Sequence, residues 1–314
     1  MTVENRKQFA PDDLAALFRA LEQSGSACVL MGGQAANYWA LRYARVEPVL
    51  REIQDVFPFV SKDADFQGGR EDAIALARTL GCRAEVPSFR RAFGNLMAGQ
   101  FAFWMGADHL KIEVLRKVPG LKDGELLRLT TFEQAGEHKF RVLNPVGVLL
   151  AKTWNVVNIE KKGRHDAEQL LAMVPCVRAY IREFLQKGDF DRRVLRAGLN
   201  LIKVTTAFTE LRPAAVAAAR CGIDWSQVLP HAHIAASALP ELIRMRELAA
   251  PRWLAKIALY KRAIPEGDSL LRLLEILARH AEPWCAQPAP RRESRIRLRS
   301  ASARQVTHHA SRRP

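Results

Sequence analysis

Ala27-Cys28-Val29-Leu30-Met31 is an uninterrupted apolar run, followed at once by Gly32-Gly33 and a helix-compatible segment from Gln34 to Tyr43. Further on stands Ser61-Lys62-Asp63-Ala64-Asp65-Phe66. The apolar run reads as a strand buried on both faces. The glycines make a tight turn, and the helix that leaves it points unpaired N–H groups back at the turn, where a phosphate is bound well. Asp63 and Asp65 sit two apart, so on a strand both carboxylates share one face.

Two like charges held side by side resist burial unless a cation neutralises them. Magnesium takes such oxygen ligands and leaves room for phosphate and water. A phosphate-holding turn beside paired carboxylates therefore suits a nucleoside triphosphate with magnesium. Taken singly, the pieces have plainer readings: Gly-Gly as a bare turn, and Asp-x-Asp as a loop acid pair at a strand edge.

Outward from this stretch, residues 11–23 (PDDLAALFRALEQ) predict a first helix, with Leu14, Leu17, Phe18 and Leu21 on one face. Residues 46–57 predict a helical insertion ended by Pro58, and residues 70–80 a helix stopped by Gly81. Strands are expected near 82–86, 97–104, 109–116, 126–132 and 138–143. In 109–116, Leu110, Ile112 and Val114 share one face, which leaves Lys111, Glu113 and Leu115 on the other.

From Asn144 the pattern turns helical. Asn144-Pro145 is an N-cap followed by proline in the first turn. That helix carries Lys152 through to about Asn158, and His165-Asp166 opens another. Further helices are expected near 176–187, 191–210, 212–221, 237–248, 251–263 and 268–281. The fold class expected is α+β: a small mixed-sheet core over 1–143, a mostly α-helical domain over 144–285, and a disordered arginine-rich tail over 286–314.

Composition narrows the classes. The 314 residues are 48% hydrophobic, enough for a sizeable core. No apolar run reaches the roughly 18 residues of a membrane span. The polar start MTVENRKQFAPDD carries no apolar segment of a secretory signal, so a cytoplasmic protein is expected. The five cysteines are scattered without a CxxC pair, against a disulfide framework or zinc ribbon. His231 and His233 have no acid or cysteine beside them and are not read as metal ligands. Net charge is +15, and the tail holds eight arginines against Glu293 alone. Such a distribution favours a polyanionic partner, with a solubilising tail as the plainer account.

In this order the motifs resemble the nucleotidyltransferase superfamily, whose αβ core is of the DNA polymerase β type. The likeness is carried by Gly32-Gly33 after a core strand, then Asp63 and Asp65, then a third acid, Glu113, on a neighbouring strand. Within the superfamily the chain looks most like the AbiEii type, the toxin components of type IV toxin–antitoxin systems. A proline-started helix with central Lys152, then Lys162-Gly163-Arg164-His165-Asp166, adds to that likeness.

The resemblance implies transfer of a nucleoside monophosphate from an NTP to an acceptor, either RNA such as tRNA or a protein. It implies magnesium on Asp63, Asp65 and Glu113, and nucleotide contacts from Gly32, Gly33, Lys62 and Lys152. Asp166 would orient Lys152 or the nucleotide. Arg42 and Arg164 are further candidates for phosphate or acceptor. An antitoxin protein is an implied partner; a membrane is not. A small-molecule nucleotidyltransferase and a non-catalytic nucleic-acid-binding module of the same fold are the alternatives. Each reading requires the 29 residues between Gly33 and Asp63 to leave and return.

Overall fold

The structure, a computed structural model, describes residues 8–88, 96–159, 165–188, 190–262 and 267–284. The 286–314 tail and Arg164 lie outside the described residues.

The architecture is α+β. A 3-10 turn at Pro11–Leu14 leads into α1 (Ala15–Gln23), β1 (Val29–Met31), α2 (Gly32–Ala44), α3 (Pro48–Val56), β2 (Asp63–Gln67) and α4 (Arg70–Thr79). A β3 (Met97–Met105) and β4 (Asp108–Leu115) hairpin follows, then α5 (Asp123–Leu126), β5 (Thr130–Ala135) and β6 (His138–Leu143). The helical remainder comprises α6 (Pro145–Asn158), α7 (Asp166–Gly188), α8 (Arg192–Thr209), α9 (Arg212–Cys221), α10 (His231–Ala236), α11 (Pro240–Arg244), α12 (Ala250–Ile257) and α13 (Asp268–Arg279).

The strands form one mixed sheet in the order β3-β4-β2-β1-β6-β5. β1 runs antiparallel to β2 and parallel to β6, and β2 runs parallel to β4. Leu30, Phe66 and Val114 occupy neighbouring positions in register and are fully buried. Side chains alternate between faces, so Asp63, Asp65, Lys111 and Glu113 lie on the opposite face from this apolar row. On the buried face Phe18 of α1 stacks on Phe140 of β6, with ring centroids 4.2 Å apart.

α2 and α3 are the excursion between the two motifs. α2 is held to the sheet by the Trp39 indole, which donates to the Leu143 carbonyl at 2.7 Å. α3 buries Val49, Leu50 and Ile53 and is capped from the far end of the chain. There Arg279 of α13 and His280 both meet Glu52, each at 2.6 Å.

Four expectations need correction. Residues 82–86 form no strand, only an isolated bridge between Glu85 and Gln100. The strand expected at 126–132 begins at Thr130, because the Lys122 N–H donates to the Glu125 carboxylate at 2.9 Å and starts a short helix there. The two helices expected either side of Pro175 are one 23-residue helix. A proline normally breaks the ladder, but Leu170 to Ile181 is buried throughout and tertiary packing holds the helix together. The helix expected at 237–248 instead starts at Pro240 and runs through a π-helical turn, Met245–Ala249, into α12. Pro251 lacks the N–H that a regular turn there would use, and a wider turn relieves that defect. Among the described residues no helix is long and apolar enough to cross a membrane.

Candidate active site

The turn and the carboxylates meet at the end of β1. Met31 pairs with Asp65, Asp65 with Glu113, and Asp63 with Lys111. Three acids and one ammonium thus share a patch of the sheet. Ala64 and Phe66 point to the buried face, which fixes the orientation of the two aspartates.

Gly32 closes the contact. Its φ of +67° is left-handed, and a Cβ added there would lie 2.1 Å from Asp65 Oδ2. The carboxylate therefore rests against the first residue of α2, where the helix presents its unpaired N–H groups. At Gly33 a Cβ would meet Ser61 Oγ and Gln169 Nε2, both at 3.1 Å. Gln169 belongs to α7, so the helical region folds back over the turn. The Gln34 amide donates to the Phe9 carbonyl at 3.0 Å, and Phe9 and Ser61 form a β-bridge.

One turn before Gln169, Asp166 accepts from Lys152 Nζ at 2.8 Å and from Asn155 Nδ2 at 3.1 Å. Lys152 is 4% and Asp166 7% exposed. This buried ion pair locks α6 to the start of α7 and so sets the position of Gln169.

Lys111 Nζ is bonded to the Glu113 carboxylate. That bond holds the ammonium above the usual lysine range despite partial burial, and the charges of Glu113, Asp63 and Asp65 add to the effect. Among the described residues no three or more His, Cys, Asp or Glu side chains are gathered as a metal-binding group. The donor set nonetheless suits magnesium: Asp63 and Asp65 are hard carboxylates on one face, beside a helix N-terminus. Glu113 stands next to Asp65 with its carboxylate on Lys111.

Lys62 is exposed and directly precedes β2. Arg42 is not brought to this patch. It lies ten residues along α2, about 15 Å by helix rise, and is paired with Glu133 and Glu183. It lines a separate cleft of about 1010 Å³ with Arg19, Arg45 and Arg51. His231 is buried and bonded to the Ser226 carbonyl.

Sequence reading missed Ser61, Gln169, Asn155 and the part played by Lys111. Only Lys111 carried a signal, since alternation placed it on the face of Glu113. The others depend on contacts between distant segments.

No protein-family model matches the chain, and no curated protein matches it. Among solved structures the chain is similar to the crystal structure of an antigenic nucleotidyltransferase-like protein from Paracoccidioides brasiliensis. That likeness is at 14% identity over 61% of this chain and 95% of that one, with a TM-score of 0.35.

Proposed function

We propose that the chain is a magnesium-dependent nucleotidyltransferase that moves a nucleoside monophosphate from an NTP to an acceptor, with RNA such as tRNA as the favoured acceptor. The observation that carries this reading is the seating of the Asp65 carboxylate on the Gly32 backbone, with Glu113 next to it in register. On this reading, anion-binding N–H groups and metal-binding oxygens would serve one small volume.

The α2 N-terminus and the Gly32-Gly33 backbone would hold the triphosphate. Magnesium, held by Asp63 and Asp65, would supply positive charge to the phosphates. Lys111 would leave Glu113 for a phosphate oxygen. That exchange frees the Glu113 carboxylate to serve as a third ligand or to take the proton of the attacking hydroxyl. The hydroxyl oxygen bonds to the α-phosphorus, the α–β phosphoanhydride bond breaks, and pyrophosphate leaves. Lys152 and Asp166 are positioning residues in this scheme, acting through Gln169 on the turn. The basic charge of the body and tail supports a polyanionic acceptor, and the motif order supports the AbiEii-type, toxin-like reading.

A second reading has its own support in the Lys111–Glu113 bond: an internal cation already engages one of the three acids, which suits a non-catalytic nucleic-acid-binding module of the same fold. One experiment separates the two. The protein is incubated with magnesium, each labelled NTP and total cellular RNA, beside Asp65→Asn. The transferase reading expects label in RNA, reduced at least about 100-fold in the variant. Equal RNA binding by both proteins with no transfer would establish the module instead. Label in a small molecule would redirect the acceptor.

A further inference from the structure

Trp104 is 63% exposed although it lies within a regular strand. An exposed indole on an edge strand is a liability that folds usually avoid. Its register places it on the face of the acid patch. Trp104 pairs with His109, Ala102 with Lys111 and Gln100 with Glu113, while Asp63 and Asp65 sit opposite Lys111 and Glu113. Trp104 and His109 therefore form the next rung outward from Lys111 and Asp63. At about 3.3 Å per residue that rung lies roughly 7 Å from Lys111 and roughly 13 Å from Glu113. The two rings meet at 5.0 Å in a tilted arrangement, and the indole retains most of its surface. Ala102, exposed and small, adds no bulk beside Lys111 on the rung between indole and acids.

We infer that Trp104 is the platform on which the base of the bound nucleoside triphosphate stacks. This rests on the proposed function and adds the recognition of the base. The charged end of the ligand is set by Lys111 and the aspartates, and the sugar spans the rung between. Stacking on an indole is tolerant of base identity, because every base offers a π-face. The site thus holds a nucleotide without choosing strongly among the four.

The test is titration calorimetry of the full chain with ATP, CTP and inorganic tripolyphosphate, each with magnesium. Trp104→Ala, Trp104→Phe and Asp65→Asn are measured in parallel, and circular dichroism checks each fold. The expected result is about tenfold weaker ATP and CTP binding in Trp104→Ala, near-normal binding in Trp104→Phe, and unchanged tripolyphosphate binding in both. Nucleotide binding by Trp104→Ala equal to wild type would overturn the platform while leaving the transferase reading intact. Wild-type protein that binds neither nucleotide nor tripolyphosphate would overturn both. A single-stranded oligonucleotide forms the last arm. If Trp104→Ala weakens the oligonucleotide but not ATP, the indole serves the acceptor and the inference fails.

Discussion

Gly32 shows how one backbone position can carry two demands. Its left-handed φ suits glycine, and the Asp65 carboxylate occupies the space a side chain would need. Gly32→Ala should lower stability by roughly 1–3 kcal/mol, measured by urea denaturation. In the proposed transferase, activity should fall further than stability alone explains, because the carboxylate must move. The cysteines give an independent check on packing. Burial pushes the Cys28 thiol up to about 12 and raises that of Cys176 as well. Both should resist a thiol reagent in the native state, and reaction of either before unfolding would contradict the packing described. At this scale the sequence was informative wherever the signal was local. The Asp63–Asp65 pair shares a face through simple alternation, whereas the approach of Gln169 to Gly33 leaves no mark on either residue's neighbours.

Among the elements, the α6–α7 junction makes the sharpest prediction. Lys152 and Asp166 are both buried, so Lys152→Ala leaves a buried carboxylate without its counter-charge and should cost about 3–5 kcal/mol. Replacing both, as Lys152→Met with Asp166→Leu, should cost less than Lys152→Ala, a difference that urea denaturation would resolve. A double variant as unstable as the single would refute the account.

His231, at the start of α10, makes a pH prediction. Burial depresses its pKa most; Arg178 acts in the same direction, and the Ser226 carbonyl, Glu282 and Asp224 oppose them. The unfolded chain therefore binds a proton near pH 6.5 that the folded chain refuses. The contribution is complete above that pH and is lost as pH falls through it. Unfolding free energy should drop more between pH 7.5 and 5.5 for wild type than for His231→Gln. Periodicity located most of these helices to within a few residues. It failed at Pro175, where a local rule was overridden by burial on every side, and at 245–249, where an unusual turn leaves no periodic trace.

For the molecule as a whole, the α+β class was legible from strand-like segments giving way to helices. Strand order was not, because pairings such as β2 with β4 and β1 with β6 join segments far apart in the chain. Charge is a whole-chain property and supports its own prediction. Removing residues 286–314 takes away a net +7 of the chain's +15. Affinity for single-stranded RNA should then fall, with a shallower dependence on salt, as measured by filter binding from low to high ionic strength.

The seating of α13 and His280 on α3 has a further consequence for synthesis. α3 lies on the link between Gly33 and Asp63, and its cover includes Arg279 and His280. A ribosome releases the turn and the acid strand long before that cover emerges. The nascent chain therefore carries both halves of the site without the brace that fixes their connection. A chain arrested before Asp268 should therefore hold the turn and the acid strand less firmly together than one that includes Arg279 and His280.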